Sequence, residues 1–325
     1  MAGDAAWFVV GLIALTVGAE AMVRGSTNVA ARLGISPILI GLTVVSIGTS
    51  LPELAIGITA ATEGSGELAV GNIAGTNVVN ILFILGLSAL LRPLAIEART
   101  LRFDLPVMAG AAVLLWLLAA NGVLSRIDGA ILVCCAAVYT AALIRASRRE
   151  SRDVVAEYAH AYPDSPRAAP SRRRAAYDTA MMLGGIVVIV IGAEWLVTGA
   201  VGMARGFGVS DALIGLTVVA IGTSAPELVT TVVSTVRGER DVAIGNLLGS
   251  SIYNILLILG VTCLVPAHGL PVSQSLVRVD IPIMAAAALV CLPIFISGRR
   301  IHRGEGAAMV TAYLAYLALL LTTQT

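Results

Sequence analysis

Hydrophobic residues run along this chain in long, nearly unbroken blocks, separated by short polar or arginine-bearing connections. The blocks do not alternate between apolar and polar positions, as the strands of a membrane barrel would. A helix needs roughly 20 apolar residues to cross a hydrocarbon core of about 30 Å, and the pattern predicts ten such helices. They fall at 5–24, 36–62, 67–91, 103–120, 128–146, 176–199, 211–236, 241–264, 279–297 and 307–323. The first block opens near Asp4 instead of on a basic region, so it reads as a helix and not as a signal peptide. Between 147 and 174 the apolar pattern gives way to Arg, Pro, Ala and Ser without a clear helical period, which predicts a mobile cytoplasmic linker.

The pattern also repeats. Residues 41–54 match 215–228 at 12 of 14 positions, and 70–86 match 244–260 at 9 of 17, both at an offset of 174. The match reaches upstream, where VGAE (17–20) faces IGAE (191–194). The chain therefore divides into a five-helix repeat at 1–146, the linker at 147–174 and a second five-helix repeat at 175–325. Five crossings is an odd number, so the second copy enters the membrane from the opposite side. Inverted repeats are the usual plan of secondary transporters, whose substrate site lies near the bilayer midplane where the repeats meet.

Composition agrees with this reading. The 325 residues are 58% hydrophobic and 13% charged, against about 25% charged in an ordinary soluble domain. Every basic residue is an arginine. With 145–174 placed in the cytoplasm, 18 arginines fall inside and only Arg126, Arg205 and Arg278 outside, as the positive-inside rule asks. Both termini are then extracytoplasmic, in a multi-pass protein of the cell membrane. Cys134, Cys135, Cys263 and Cys291 lie in apolar blocks without metal-type spacing, and His160, His268 and His302 lie in separate loops.

Into this apolar background the repeat places two glutamates. Ser46, Ser50 and Glu53, spaced by four and three, share one helix face, with Thr49 beside them. Ala220, Thr223, Ser224 and Glu227 repeat the arrangement. A charge near the bilayer centre costs from roughly 3 to more than 10 kcal/mol and so faces a partner or a wet cavity. Neither helix carries a basic residue near its glutamate, which leaves a bound cation as the simplest compensation. Pro52 and Pro226 supply no N–H to the carbonyls of Gly48 and Gly222, freeing those oxygens beside each glutamate. Carboxylates, hydroxyls and carbonyls are hard ligands that suit calcium or an alkali ion.

The third and eighth helices open with GNIAGTNVVN (71–80) and GNLLGSSIYN (245–254). Gly71 with Gly75, and Gly245 with Gly249, have the spacing that lets helix backbones approach closely. Thr76 with Asn80, and Ser250 with Asn254, are four apart and share a face that could complete an oxygen-lined pocket. For Asn72 and Asn246, hydrogen bonding between helices is as good a reading as ligation. Glu20 has Arg24 at i+4 to pair with; its counterpart Glu194 has Thr198 there, and both glutamates read as structural or entrance residues. Arg126 and Asp128 read as loop charges.

These duplicated motifs, GTSLPE with GNIAGTNVVN and GTSAPE with GNLLGSSIYN, resemble the cation/calcium exchanger superfamily, specifically its prokaryotic sodium/calcium antiporters. The resemblance spans nearly the whole chain. It implies an all-α membrane fold of ten helices in two inverted five-helix repeats, and calcium and sodium as transported ions with no cofactor. The ion ligands it implies are Thr49, Ser50, Glu53 and the carbonyl of Ser46, then Thr223, Ser224, Glu227 and the carbonyl of Ala220, closed by Thr76, Asn80, Ser250 and Asn254. Some sodium/calcium members carry Asp where this chain has Asn254. It further implies that the first and sixth helices slide against the rest, a motion to which Gly11, Gly18, Gly192 and Gly199 are suited.

The expected function is alternating-access exchange of calcium for sodium at one central site, with no enzymatic activity and no nucleic-acid partner. Proton-coupled calcium exchange through the same glutamates is the alternative within transport. A cation channel lined by carboxylates is the alternative from another class. An intramembrane hydrolase finds little support, with no membrane histidine and no aspartate pair within the spans. Oligomeric state is not legible.

Overall fold

The structure is a computed structural model that describes residues 2–33, 35–96, 98–161, 172–207, 220–298 and 300–323. It is built almost wholly of helices, numbered here α1 to α10. They are α1 Ala2–Leu33, α2 in two pieces (Pro37–Thr49 and Leu51–Thr62), α3 Gly66–Leu91, α4 Asp104–Ala119 and α5 Arg126–Ala161. The second half has α6 Arg172–Gly206, α7 in two pieces (Ala220–Thr223 and Ala225–Arg237), α8 Arg240–Leu264, α9 Leu276–Phe295 and α10 Arg303–Thr323. Seven described helices are each long and apolar enough to cross a membrane, and bent α2 makes an eighth. With α7, whose expected first residues 211–219 lie outside the described ones, and α10, the count reaches the ten of an inverted-repeat membrane fold.

The helices form an inner and an outer set. Of the most apolar stretch of α8, 83% is buried, and of α3, 72%, whereas α5 buries only 28%. So α3 and α8 sit at the centre and α5 faces outward, the distribution expected when lipid is the outer solvent. The α1–α6 pair packs along its whole length on glycines spaced by seven: Gly11, Gly18 and Gly25 on one helix, Gly185, Gly192 and Gly199 on the other. A Cβ on Gly18 would lie 2.9 Å from the carbonyl oxygen of Gly185, and one on Gly192 would lie 2.8 Å from the amide nitrogen of Leu15. Backbone thus meets backbone along this seam, as small-residue spacing allows in membranes.

Two devices join the rest. The strand β1 (Leu94–Ala95) pairs antiparallel with β4 (Arg300–Ile301), and β2 (Val123–Leu124) pairs with β3 (Leu270–Pro271). Each pair links one repeat to the other. Between helices, the Tyr139 hydroxyl of α5 donates to Asp104 Oδ1 on α4 at 3.0 Å, and the Tyr316 hydroxyl of α10 donates to Asp280 Oδ1 at the start of α9 at 2.9 Å. The repeat thus duplicates an aspartate–tyrosine bond as well as the glutamate motif. Asp104 and Asp280 do lie within the expected spans, but in different halves, each tied to its own tyrosine.

One expectation is corrected. The stretch from 147 is not irregular throughout: α5 runs on to Ala161 and α6 begins at Arg172. Its Ala, Glu and Arg are good helix formers and continue the helix even where no apolar face is needed; 162–171 lie outside the described residues. For Gly71 and Gly75 the mirror neighbours, 212–216, lie outside the described residues. Among the described residues a Cβ on Gly75 would meet nothing within 4 Å, and one on Gly71 only the Leu276 side chain. Their mates Gly245 and Gly249 do the expected work against α2, with a Cβ on Gly245 lying 2.7 Å from the Ile38 carbonyl oxygen and one on Gly249 2.7 Å from that of Leu42.

Candidate cation site

The two motif helices break at matching residues. In α2 the break is at Ser50 (φ −87°, ψ 7°), with its halves bent by 42°; in α7 it is at Ser224 (φ −84°, ψ 4°). Each break stands two residues before a proline, whose missing N–H cannot continue the helix ladder. Each then restarts with its proline in the first turn and its glutamate directly after it.

Glu53 and Glu227 are completely buried. They lie within electrostatic reach of each other, and among the described residues neither has an ion-pair partner. Ser50 Oγ donates to Glu227 Oε1 at 3.3 Å, tying the first repeat's break to the second repeat's carboxylate. The hydroxyls of Thr49 and Ser250 also gather about Glu227. Thr49 Oγ1 lies 3.4 Å from Ser250 Oγ and donates to the Ser46 carbonyl and to Asn246 Oδ1, each at 3.2 Å. The Ser46 hydroxyl bonds back to Leu42 at 2.8 Å, whereas its carbonyl points into the cluster and also accepts from Ser250 Oγ at 3.5 Å. Asn246 bridges onward to Thr231 Oγ1 at 3.3 Å, the hydrogen-bonding role expected of it between helices.

The remaining expected residues are placed as follows. Thr76, Asn80, Thr223, Ser224 and Asn254 are all buried, and Ala220 is the first described residue of α7. Among the described residues, both oxygens of Glu53, Oε2 of Glu227, the Ser224 hydroxyl and both amide atoms of Asn80 and Asn254 have no hydrogen-bond partner. Buried polar atoms in proteins are almost always paired, so this many unpaired ones, most of them oxygens and three of them carboxylate oxygens, mark a candidate site for an occupant. Among the described residues no three His, Cys, Asp or Glu side chains converge. An ion here would therefore be held by two carboxylates and neutral oxygens.

Asn80 and Asn254 are placed by turns the sequence did not announce. α3 widens into π-helical turns over Val79–Ile84 and α8 over Asn254–Leu259. Such turns are rare and concentrate at functional sites. They shift the helical phase at each asparagine. No composition or spacing signal marks them beyond their position at the end of the repeated motif.

The sequence pattern of the family described as "Sodium/calcium exchanger protein" matches residues 4–145 and 177–322. The chain belongs to this family. It is 33% identical over 319 residues to the inner membrane protein YrbG of Escherichia coli, covering 97% of this chain and 96% of the relative. To the sodium/calcium exchanger MaX1 of Methanosarcina acetivorans it is 33% identical over 338 residues, covering 95% and 96%. Its fold superposes on the sodium–calcium exchanger NCX_Mj with a TM-score of 0.82 at 27% identity, covering 97% of each chain. Membership in the exchanger family makes the chain a multi-pass membrane cation antiporter and sets aside the channel and hydrolase readings.

Proposed function

We propose that this antiporter exchanges calcium for sodium across the cytoplasmic membrane, both ions competing for the central site between α2, α3, α7 and α8, with both termini extracytoplasmic. The observation that carries the reading is the pair Glu53 and Glu227, completely buried and without a cationic side chain. The ligands are the two carboxylates, the hydroxyls of Thr49, Ser50, Thr223 and Ser224, the carbonyls of Ser46 and Ala220, and Thr76, Asn80, Ser250 and Asn254. One calcium ion balances both carboxylates, and so do two sodium ions.

Exchange follows from electrostatics. Burying an uncompensated carboxylate costs several kcal/mol, about an order of magnitude more than thermal energy. The carrier therefore passes through a closed state only when the carboxylates are neutralised, by either cation. An empty carrier stays where it is, and transport of one ion becomes conditional on return of the other. The α1–α6 pair, running on its glycine seam, is the moving part.

Asn254 favours a second form of the reading. With an amide where some sodium/calcium members have an aspartate, fewer monovalent ions find a charge, and protons could replace sodium as the counter-ion. The test is isotopic calcium uptake into proteoliposomes at fixed pH, with sodium on the inside or an inert organic cation in its place. Uptake that requires internal sodium is expected; uptake that persists without sodium but collapses with the proton gradient would transfer the coupling to protons. Loss of uptake in both Glu53→Gln and Glu227→Gln is expected in either case.

A further inference from the structure

The two halves of the pseudo-symmetric site are not equally polar. Beyond Glu227, α7 carries Thr230, Thr231, Ser234 and Thr235, all fully buried. Together with Glu227 they fill one face of the helix, opposite Val229, Val232, Val233 and Val236. At the offset of 174, the corresponding residues beyond Glu53 in α2 are Ile56, Gly57, Ala60 and Ala61. One repeat has a run of hydroxyls leading away from its glutamate, and the other has none.

The hydroxyls of α7 also behave differently from others in this protein. In a helix, Ser and Thr usually satisfy the hydroxyl by donating to the carbonyl four residues back. Thr27, Thr43, Thr140, Thr262 and Thr311 all do so here. Thr230, Ser234 and Thr235 do not, and each hydroxyl is buried without a partner among the described residues. On α3, which packs against this part of α7, the Ser88 hydroxyl is likewise buried and unpartnered.

The mirror position shows what a dry version looks like. Thr262, the counterpart of Ser88, lies against Gly57: a Cβ there would be 2.7 Å from Thr262 Oγ1. Thr262 also bonds back to Ile258 at 2.8 Å. That helix pair closes tightly because glycine leaves room for the neighbour. On α7 the equivalent residue is Thr231, whose hydroxyl accepts from Asn246 Nδ2 at 3.3 Å, and among the described residues Ser88 finds no partner. Between Glu227 and Arg237 this face carries no charged residue, so its occupant is neutral.

We propose that Thr230, Ser234, Thr235 and Ser88 form a water-binding column joining the central site to the Arg237 end of α7, the cytoplasmic end in the proposed orientation, with no equivalent toward the other face. A bound water meets two to four polar partners, which this set supplies. Resting on the reading of the central site given above, the column supplies water to a cation leaving Glu227 toward that face and so eases rehydration on one side only.

The test compares Ser234→Cys with its mirror Ala60→Cys in a protein whose native cysteines are replaced, using hydroxyl-radical footprinting, which oxidises side chains beside bound water. Position 234 is expected to label at least tenfold faster; equal rates would overturn the column. The triple variant Thr230→Ile, Ser234→Ala, Thr235→Ala copies the dry half. Its calcium exchange is expected to turn over at least threefold more slowly, with the calcium concentration for half-maximal thermal stabilisation unchanged. Unaltered turnover would overturn the role in release, and if the triple variant fails to fold the cysteine pair decides alone. The labelling contrast does not depend on Glu53 or Glu227, so failure of the central-site reading would show separately, as calcium exchange surviving in the Glu→Gln proteins.

Discussion

Arg237, the last residue of α7, holds Glu20 of α1 in an ion pair, and Arg24 reaches the same carboxylate at 2.6 Å. At the mirror positions stand Glu63 and Glu194, two acids, and among the described residues neither has an ion-pair partner. The bond therefore fastens the α1–α6 pair to a motif helix at one end of the molecule only. A partly exposed pair of this kind contributes up to about 1 kcal/mol, or roughly fivefold in the balance between two conformations. Arg237→Glu is expected to weaken closure at that end, raising the reactivity of a cysteine at Ser234 several-fold, and Glu20→Arg combined with Arg237→Glu is expected to restore it. Failure of the double exchange to restore closure would assign the effect to something other than this pair.

Binding at the central carboxylates has a signature independent of flux. A ligand at 100 times its dissociation constant stabilises the folded state by about 2.7 kcal/mol. Calcium is expected to raise the melting temperature of the purified protein, and Glu53→Gln and Glu227→Gln are expected to abolish that rise. In calcium-free buffer both variants should melt no lower than the parent, because each removes a buried charge that has no cationic partner among the described residues.

Asn254→Asp adds a third carboxylate to the same cluster. Sodium dependence of calcium exchange is expected to become steeper, and inhibition by sodium stronger, when uptake is measured against sodium concentration at fixed pH. An unchanged curve would place residue 254 outside the monovalent-ion site.

The glycine seam makes a separate prediction. Valine at Gly18 would drive its side chain into the Gly185 backbone, where even a Cβ lies 2.9 Å from the carbonyl oxygen. Gly18→Val is expected to slow exchange by tenfold or more and to retain stabilisation by calcium in a melting assay. Loss of both together would indicate misassembly instead of an arrested slide.

Tyr139→Phe leaves the Asp104 carboxylate without its 3.0 Å donor inside the membrane, at a cost of about 1–3 kcal/mol for a buried group losing its partner. Thermal denaturation is expected to move down accordingly, with calcium transport per folded molecule preserved. Tyr316→Phe should do less, because its partner Asp280 is not fully buried.

Much of this was legible before any coordinates, because a membrane simplifies the code. Length and hydropathy located the helices, and the offset of 174 turned one odd glutamate into two. The oxygen cluster was legible for the same reason: Thr49, Ser50, Glu53 and their mates recur, and apolar surroundings leave polar residues few explanations. Three features escaped. The π-helical turns at Asn80 and Asn254 have no residue type that encodes them. The Glu20–Arg237 pair joins residues 217 apart in sequence, and Arg24 offered a nearer and sufficient partner. The helical continuation to Ala161 is carried by residues with good helix propensity and without an apolar period to announce it.

The short strand pairs have a genealogical consequence. Both run between repeats, one joining Leu94–Ala95 to Arg300–Ile301 and the other Val123–Leu124 to Leu270–Pro271, so neither depends on the polypeptide being continuous through its middle. Two half-length chains threaded into the bilayer in opposite senses would make the same clasps with one another. The gene is then most simply the fusion of two such copies, and severing the present chain between its repeats should yield fragments that reassemble when coexpressed.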